Sequence, residues 1–295
     1  MTLIIDGVKI KSNILDSLKE TIKQLNGQPG LAVILVGDNP ASKAYIGMKK
    51  KACENLGIQS FEFLLPATAS EKELTDVIDA CNQNPGVNGI LLQMPLPNGF
   101  NEQHMLERIS PEKDVDGFHP VNVGKLLIGL DSFKSCTPYG VAHLLQAYGI
   151  DTEGKHVVIL GRSNIVGKPM AAILVQNAIG ANATVTICHS RTKNLNSITK
   201  TADIIIAAIG KPKFVTSDMV RDNAVVIDVG INRVDDDSDP RGYQLVGDVD
   251  FDSVKPKASA ITPVPGGVGP LTIAMLMTNT VKAYINQKQP PKTHP

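Results

Sequence analysis

The stretch HVVIL-GRSNIVG, residues 156–167, reads as a short buried strand running into a turn bounded by Gly161 and Gly167, with a helix predicted from about Lys168. A run with no polar alternation after His156 fits a strand covered on both faces. Strand, glycine-bounded turn and helix start, in that order, make a cradle for a pyrophosphate, because the first helical N–H groups and the helix dipole both face the anion. The spacing is GxxxxxG and not GxGxxG, so the dinucleotide fingerprint is matched imperfectly. A tight strand–helix turn without ligand is the plain alternative.

Working outward, TVTIC (184–188), DIIIA (203–207) and AVVID (224–228) are three further apolar runs. Thr137-Pro138 is an N-cap and first-turn pair opening a helix to about Tyr148. Upstream, Ile10, Ile14, Leu18, Ile22 and Leu25 recur at helical spacing until Gly27–Gly30 breaks the pattern. LAVILV (31–36), FEFLL (61–65) and GILLQ (89–93) read as strands, with a helix over about 40–56 between the first two. Ser70-x-x-Glu73 is a capping box for a helix to about 83. Strands alternating with helices imply an α/β protein with a largely parallel sheet in each half, the second half Rossmann-like. A last helix over about 271–286 is favoured for neither half by its position, and the polar, Pro-rich tail 287–295 is expected to be disordered.

The strand TVTIC ends in His189-Ser190-Arg191, where NAD sites carry an acidic residue for the ribose. A hydroxyl and a guanidinium suit a 2′-phosphate, and Arg162 could reach the same group, so NADP is favoured over NAD. An isolated Arg191 is equally a solvated surface charge. Lys+Arg and Asp+Glu both total 29, giving net charge zero, which argues against a nucleic-acid partner. No apolar run approaches a membrane span, and the first residues lack a signal-peptide layout. Cys53, Cys81, Cys136 and Cys188 lie far apart without a CxxC pair, so structural zinc is not expected and reduced thiols in a cytoplasmic protein are.

In the first half, Tyr45 and Lys49 share a face of the predicted helix. By spacing alone they are as well a half-buried tyrosine beside a solvated lysine. Gln93 ends the strand GILLQ, where open α/β sheets bind ligands, although a loop-bracing amide would look the same. Asp114-Val115-Asp116-Gly117 resembles the start of a calcium loop, but its spacing and downstream ligands are wrong, so no metal is expected. TPVPGGVGP (262–270) combines fixed φ values with bare backbone and reads as a rigid loop that can lie flat against a partner group, although a Pro/Gly cluster standing alone more often just marks a turn.

Together, YxxxK (45–49), QMPLP (93–97), KDVDGFHP (113–120), GRSNIVGKP (161–169), VIDVGIN (226–232), GDVDF (247–251) and TPVPGGVGP resemble the bifunctional methylenetetrahydrofolate dehydrogenase/methenyltetrahydrofolate cyclohydrolase family. The resemblance spans the chain except its tail. Met94 departs from the Leu often found there, a small apolar change. The resemblance implies NADP-dependent oxidation of 5,10-methylenetetrahydrofolate and hydrolysis of the product to 10-formyltetrahydrofolate, a one-carbon folate interconversion. It implies Lys49 as catalytic lysine, Gln93 as the group orienting it, Tyr45 against the pterin, Asp116 on the amino-pyrimidine edge, and Pro265, Gly266 and Gly267 beside the folate. It assigns Thr137, Gly161, Arg162, Ser163, Val166, Gly167, Ser190, Arg191, Gly210 and Ile231 to the NADP site. It also implies two domains, a folate-binding domain of residues 1–138 plus helix 271–286 and an NADP-binding domain of residues 139–270, with the active site between them, in a homodimer. The competing readings are a monofunctional dehydrogenase of the same family, another two-domain NADP oxidoreductase, and a non-catalytic NADP-binding protein.

Overall fold

The computed structural model describes residues 1–240 and 242–289. Its strands in chain order are β1 (Leu3–Ile4), β2 (Gly30–Val36), β3 (Gln59–Leu65), β4 (Gly89–Leu92), β5 (His156–Leu160), β6 (Thr184–Cys188), β7 (Ile204–Ala207), β8 (Val225–Asp228), β9 (Asn232–Asp235), β10 (Tyr243–Val246) and β11 (Ala260–Ile261). The chain divides into two compact units, one built on a three-stranded sheet and one on a six-stranded sheet.

The three-stranded unit comprises Asn13–Lys125, Asp131–Cys136 and the chain from Ile273. Its sheet has the order β3-β2-β4 with every pair parallel. β2 is buried along its whole length, as its unbroken apolar run requires of a central strand. The helix Glu71–Gln83 starts where the capping box puts it: Glu73 N donates to Ser70 Oγ at 3.2 Å and Ser70 N to Glu73 Oε2 at 2.7 Å. Its Leu74 and Ile78 pack with Ile34, Val36, Ile90 and Leu92 in the core. Beyond β4, Ile90 N donates to Lys113 O at 2.7 Å and Asp114 bridges Ile90 in parallel. Lys113 Nζ donates to the carbonyls of Cys81, Asn82 and Asn84 at 3.1, 2.7 and 2.9 Å, satisfying groups at the helix C-terminus where the dipole favours a cation. The Asp114–Gly117 segment is thereby anchored beside β4. The last helix, Gly269–Lys288, outruns its expected end and takes Gln287 and Lys288 out of the tail expected to be disordered. The reason is tertiary, since Gln287 Nε2 donates to the carbonyls of Asn88 and Glu112 at 2.9 and 3.0 Å. Residues 290–295 of that tail lie outside the described residues.

The six-stranded unit comprises Met1–Ser12, Leu126–Leu130 and Thr137–Thr272. Its sheet runs β1-β11-β8-β7-β5-β6, all parallel. From β5 the chain moves outward to β6 and then returns to the other side of β5 as β7, so the strand order reverses between β5 and β7. The N-terminus, which the sequence reading groups with the first domain, belongs here because Leu3 and Ile4 pair with Ala260 and Ile261. A two-residue strand carries no period to read. The first helix starts at Gly7, since Asp6 Oδ1 accepts the N–H groups of Val8 and Lys9 at 2.9 and 3.1 Å. The helix expected after Thr137 begins at Cys136, so Thr137 lies in its first turn, and its hydroxyl is 2.9 Å from that of Thr272.

Candidate functional site

Two sites emerge, one in each unit. In the three-stranded unit, the helix Pro40–Leu56 carries Tyr45 and Lys49 one turn apart. Lys49 is only 7% exposed, and its Nζ donates to Gln93 Oε1 at 2.8 Å. Gln93 follows β4 directly. Its backbone N–H is held by Ile34 O at 2.9 Å and its own amide donates to Met94 O at 2.8 Å, which leaves Oε1 facing the lysine. Asp116 comes in beside them on the anchored segment. Asn279 of the last helix steadies that segment by donating to Val115 O at 2.7 Å and Lys134 O at 3.0 Å. Gly117 is required next, with φ +73° and a Cβ position 2.7 Å from Ser135 N.

The electrostatics of this group follow from burial. Burial pushes the Lys49 ammonium below its ordinary range, against the pull of Asp116 and Cys136. Asp116 keeps part of its surface open, yet burial lifts its carboxyl to about 6, opposed by Lys49 and reinforced by Asp114. Burial likewise raises the phenol of Tyr45 and the thiol of Cys136, the latter further raised by Asp116. A buried amine held below its ordinary range, beside a carboxyl held above its own, is equipped to move a proton and to hold a ligand's N–H edge. Among the described residues, no group of three or more His, Cys, Asp or Glu side chains could hold a metal ion.

In the six-stranded unit, a cavity of about 290 Å³ opens over the carboxyl ends of β5, β6 and β7. Of the residues expected to bind a cofactor, Gly161, Arg162, Ser163 and Ser190 line it. Gly161 has φ +125°, and a Cβ there would fall 2.1 Å from Ala208 O, so only glycine lets the turn pass β7. Ser163 Oγ accepts from the N–H groups of Val166 and Gly167 at 3.1 and 3.4 Å, which fixes the start of the helix Gly167–Leu174. Gly210 lies between two lining residues, Ile209 and Lys211, and Arg191 is exposed just after Ser190. Thr137, bonded to Thr272, and Ile231, against Gly269, lie elsewhere in the unit and do not line the cavity. None of the lining residues is acidic, while Arg162 and Lys211 are cationic. A bare turn, hydroxyls, cations and a helix start fit the phosphates of a dinucleotide. Lys211 was not expected there, because the Gly210–Pro212 turn signal that flanks it does not show which cavity its side chain faces.

The TPVPGGVGP loop belongs to the same unit. Gly7 N donates to Gly266 O at 2.9 Å, and a Cβ on Gly7 would fall 1.7 Å from Gly267 O. A Cβ on Gly267 itself would fall 2.6 Å from Pro263 O, so the bare backbone there has a packing cause within the unit, while Pro265 stays exposed. Two further buried acids, Asp228 and Asp248, lie in VIDVGIN and GDVDF and were not singled out. Burial raises Asp228 to about 7 even though it accepts N–H bonds from Gly230, Asp248 and Val249.

The reversal of strand order at β5/β7, with an acid-free cavity above it, places the six-stranded unit among the doubly wound nucleotide-binding α/β proteins. Comparison with known proteins narrows this. A family model described as tetrahydrofolate dehydrogenase/cyclohydrolase, catalytic domain, matches residues 5–116, and its NAD(P)-binding domain counterpart matches residues 135–288. The chain belongs to the tetrahydrofolate dehydrogenase/cyclohydrolase family. The bifunctional protein FolD of Chlorobium phaeobacteroides is 52% identical over 288 residues, covering 96% of this chain and 97% of that one. The crystal structure of the bifunctional enzyme FolD, methylenetetrahydrofolate dehydrogenase/cyclohydrolase, from Campylobacter jejuni superposes with TM-score 0.91 at 49% identity over 97% of this chain and 100% of that one. The Trypanosoma brucei enzyme, solved with NADP cofactor and inhibitor, gives TM-score 0.92 at 36% identity over 98% and 99%.

Proposed function

We propose that this chain oxidises 5,10-methylenetetrahydrofolate to the 5,10-methenyl cation with NADP⁺ and hydrolyses that cation to 10-formyltetrahydrofolate. The observation that carries the two-reaction reading is the buried Lys49 amine, 2.8 Å from Gln93 Oε1 and close enough to Asp116 to alter its titration. Attack of water on the methenyl carbon requires a proton acceptor. Lys49 is the candidate, because burial already favours its neutral form and a bound cationic substrate would favour it further. Gln93 Oε1 accepts a hydrogen bond from Lys49 Nζ and so orients the nitrogen lone pair. Asp116 accepts N–H groups from the pterin's amino-pyrimidine edge, and Tyr45, half-buried one turn before Lys49, packs on or bonds the pterin.

Gly161–Gly167, Ser190 and Arg191 would hold NADP, the first segment by backbone and hydroxyl donors and the last two by contacts to the 2′-phosphate. When bound, NADP⁺ supplies the hydride acceptor for the methylene bridge. The protein's part in that step is positioning.

The assembly is a homodimer in this reading. Support comes from β6, an edge strand with Ile187 37% exposed, and from Leu127, Ile128, Val175 and Ile179, exposed by 63, 70, 55 and 94% in the same unit. Light scattering should give twice the chain mass of 31.5 kDa; a mass of one chain would refute the dimer. A cytoplasmic location is supported by four free, buried cysteines. Among the described residues no helix is long and apolar enough to cross a membrane.

The functional test is an absorbance assay following NADPH and methenyl product separately. NADPH should form from methylenetetrahydrofolate without lasting methenyl accumulation, and added methenyl substrate should decay faster with enzyme. Accumulating methenyl would leave a dehydrogenase alone, and no NADPH would overturn the reading.

A further inference from the structure

We infer that Asp248 is a positioning residue of the nucleotide site, its buried carboxylate holding the backbone of Ile209–Lys211 so that Ile209 and Lys211 form part of the cavity wall. The inference rests on the nucleotide-site reading above. Asp248 is fully buried. Its Oδ2 accepts the N–H groups of Ile209 and Gly210 at 2.7 and 2.9 Å. Its Oδ1 accepts those of Lys211 at 2.8 Å and of the Asn232 side chain at 2.9 Å. Three successive N–H groups around a left-handed residue, here Gly210 with φ +67°, form a concavity that attracts anions. Here Asp248 fills that concavity from inside the protein. The turn after β7 becomes a fixed wall whose N–H groups face the carboxylate.

The neighbouring motifs are built around this carboxylate. A Cβ on Gly230 would fall 2.3 Å from Asp248 Cγ, and one on Gly247 would fall 1.8 Å from Asp228 Oδ2. Each motif thus supplies both an acid and the glycine that makes room for the other motif's acid. Asp228 completes the arrangement by accepting the N–H of Asp248 itself at 3.0 Å. Because each Asp248 oxygen carries two donors, asparagine must turn its NH₂ toward two N–H groups in either orientation. Asp248→Asn therefore releases the segment while preserving volume.

The test is steady-state kinetics with varied NADP⁺, alongside NADPH binding by fluorescence. Asp248→Asn should raise KM for NADP⁺ and Kd for NADPH about tenfold or more, with kcat at saturation within about threefold of wild type. Asn232→Ala removes one donor to the same carboxylate and should shift KM in the same direction by about two- to fivefold. Loss of kcat at unchanged KM in Asp248→Asn would mean fewer folded molecules and a purely structural acid. Should that variant not fold, an unchanged KM in Asn232→Ala overturns the inference. Wild-type protein that does not bind NADPH would instead overturn the nucleotide-site reading, and the inference with it.

Discussion

In the six-stranded unit, Asp228 accepts three N–H groups and Asp248 four, all from neighbours held in the sheet and its turns. In the three-stranded unit, Asp116 has a lysine and a thiol as its neighbours and part of its surface open. Both units bury acids at the carboxyl edge of a parallel sheet. Backbone donors cannot leave, so the first pair is locked into holding turns together. In the second group the acid's partners are an amine and a thiol, which can themselves change protonation, and that suits the chemistry proposed for it. The number and kind of donors around a buried acid thus distinguish the two places where burial does not.

The comparison breaks first at Lys49. Lys49→Gln should lower hydrolysis of the methenyl substrate by about 10²–10⁴-fold while hydride transfer stays within about tenfold. Equal losses in the two assays would make Lys49 a binding or structural residue. A second break concerns pH. Asp228 has a folded value of about 7 against 3.8 for the ordinary side chain. The stability tied to its proton is therefore full below about pH 4 and is lost as pH rises through 7. Asp228→Asn does not titrate, so relative to wild type it should gain about 2–4 kcal/mol between pH 4 and pH 8, whatever its offset at low pH. Parallel urea-unfolding curves across that range would show that the carboxylate is ionised throughout.

Two smaller effects sharpen the picture away from the buried acids. Arg191→Ala should raise KM for NADP⁺ by about five- to thirtyfold more than KM for NAD⁺, as expected of a charge-assisted contact to the extra phosphate. Equal changes would return Arg191 to the solvated surface. Ser70→Ala removes the acceptor of the capping box and should cost about 1 kcal/mol in chemical denaturation, with both activities intact. A loss below about 0.3 kcal/mol would mean that solvent replaces the cap.

What could be read from the chain alone was what neighbouring residues decide together. The apolar runs at 31–36 and 156–160 marked central strands because a strand buried on both faces shows it residue by residue. The capping box at Ser70 and the Gly161–Gly167 turn were legible for the same reason, whereas Lys49, Gln93 and Asp116 were expected only from a resemblance carried by several separate motifs. Tertiary structure decided what depends on distant partners. Only pairing with Ala260 and Ile261 makes Leu3 and Ile4 a strand. Only contacts 37 to 39 residues away along the chain show that Asp248 secures the turn after β7. Periodicity and turn chemistry encode local preference, whereas a carboxylate's role depends on which donors the finished fold brings to it.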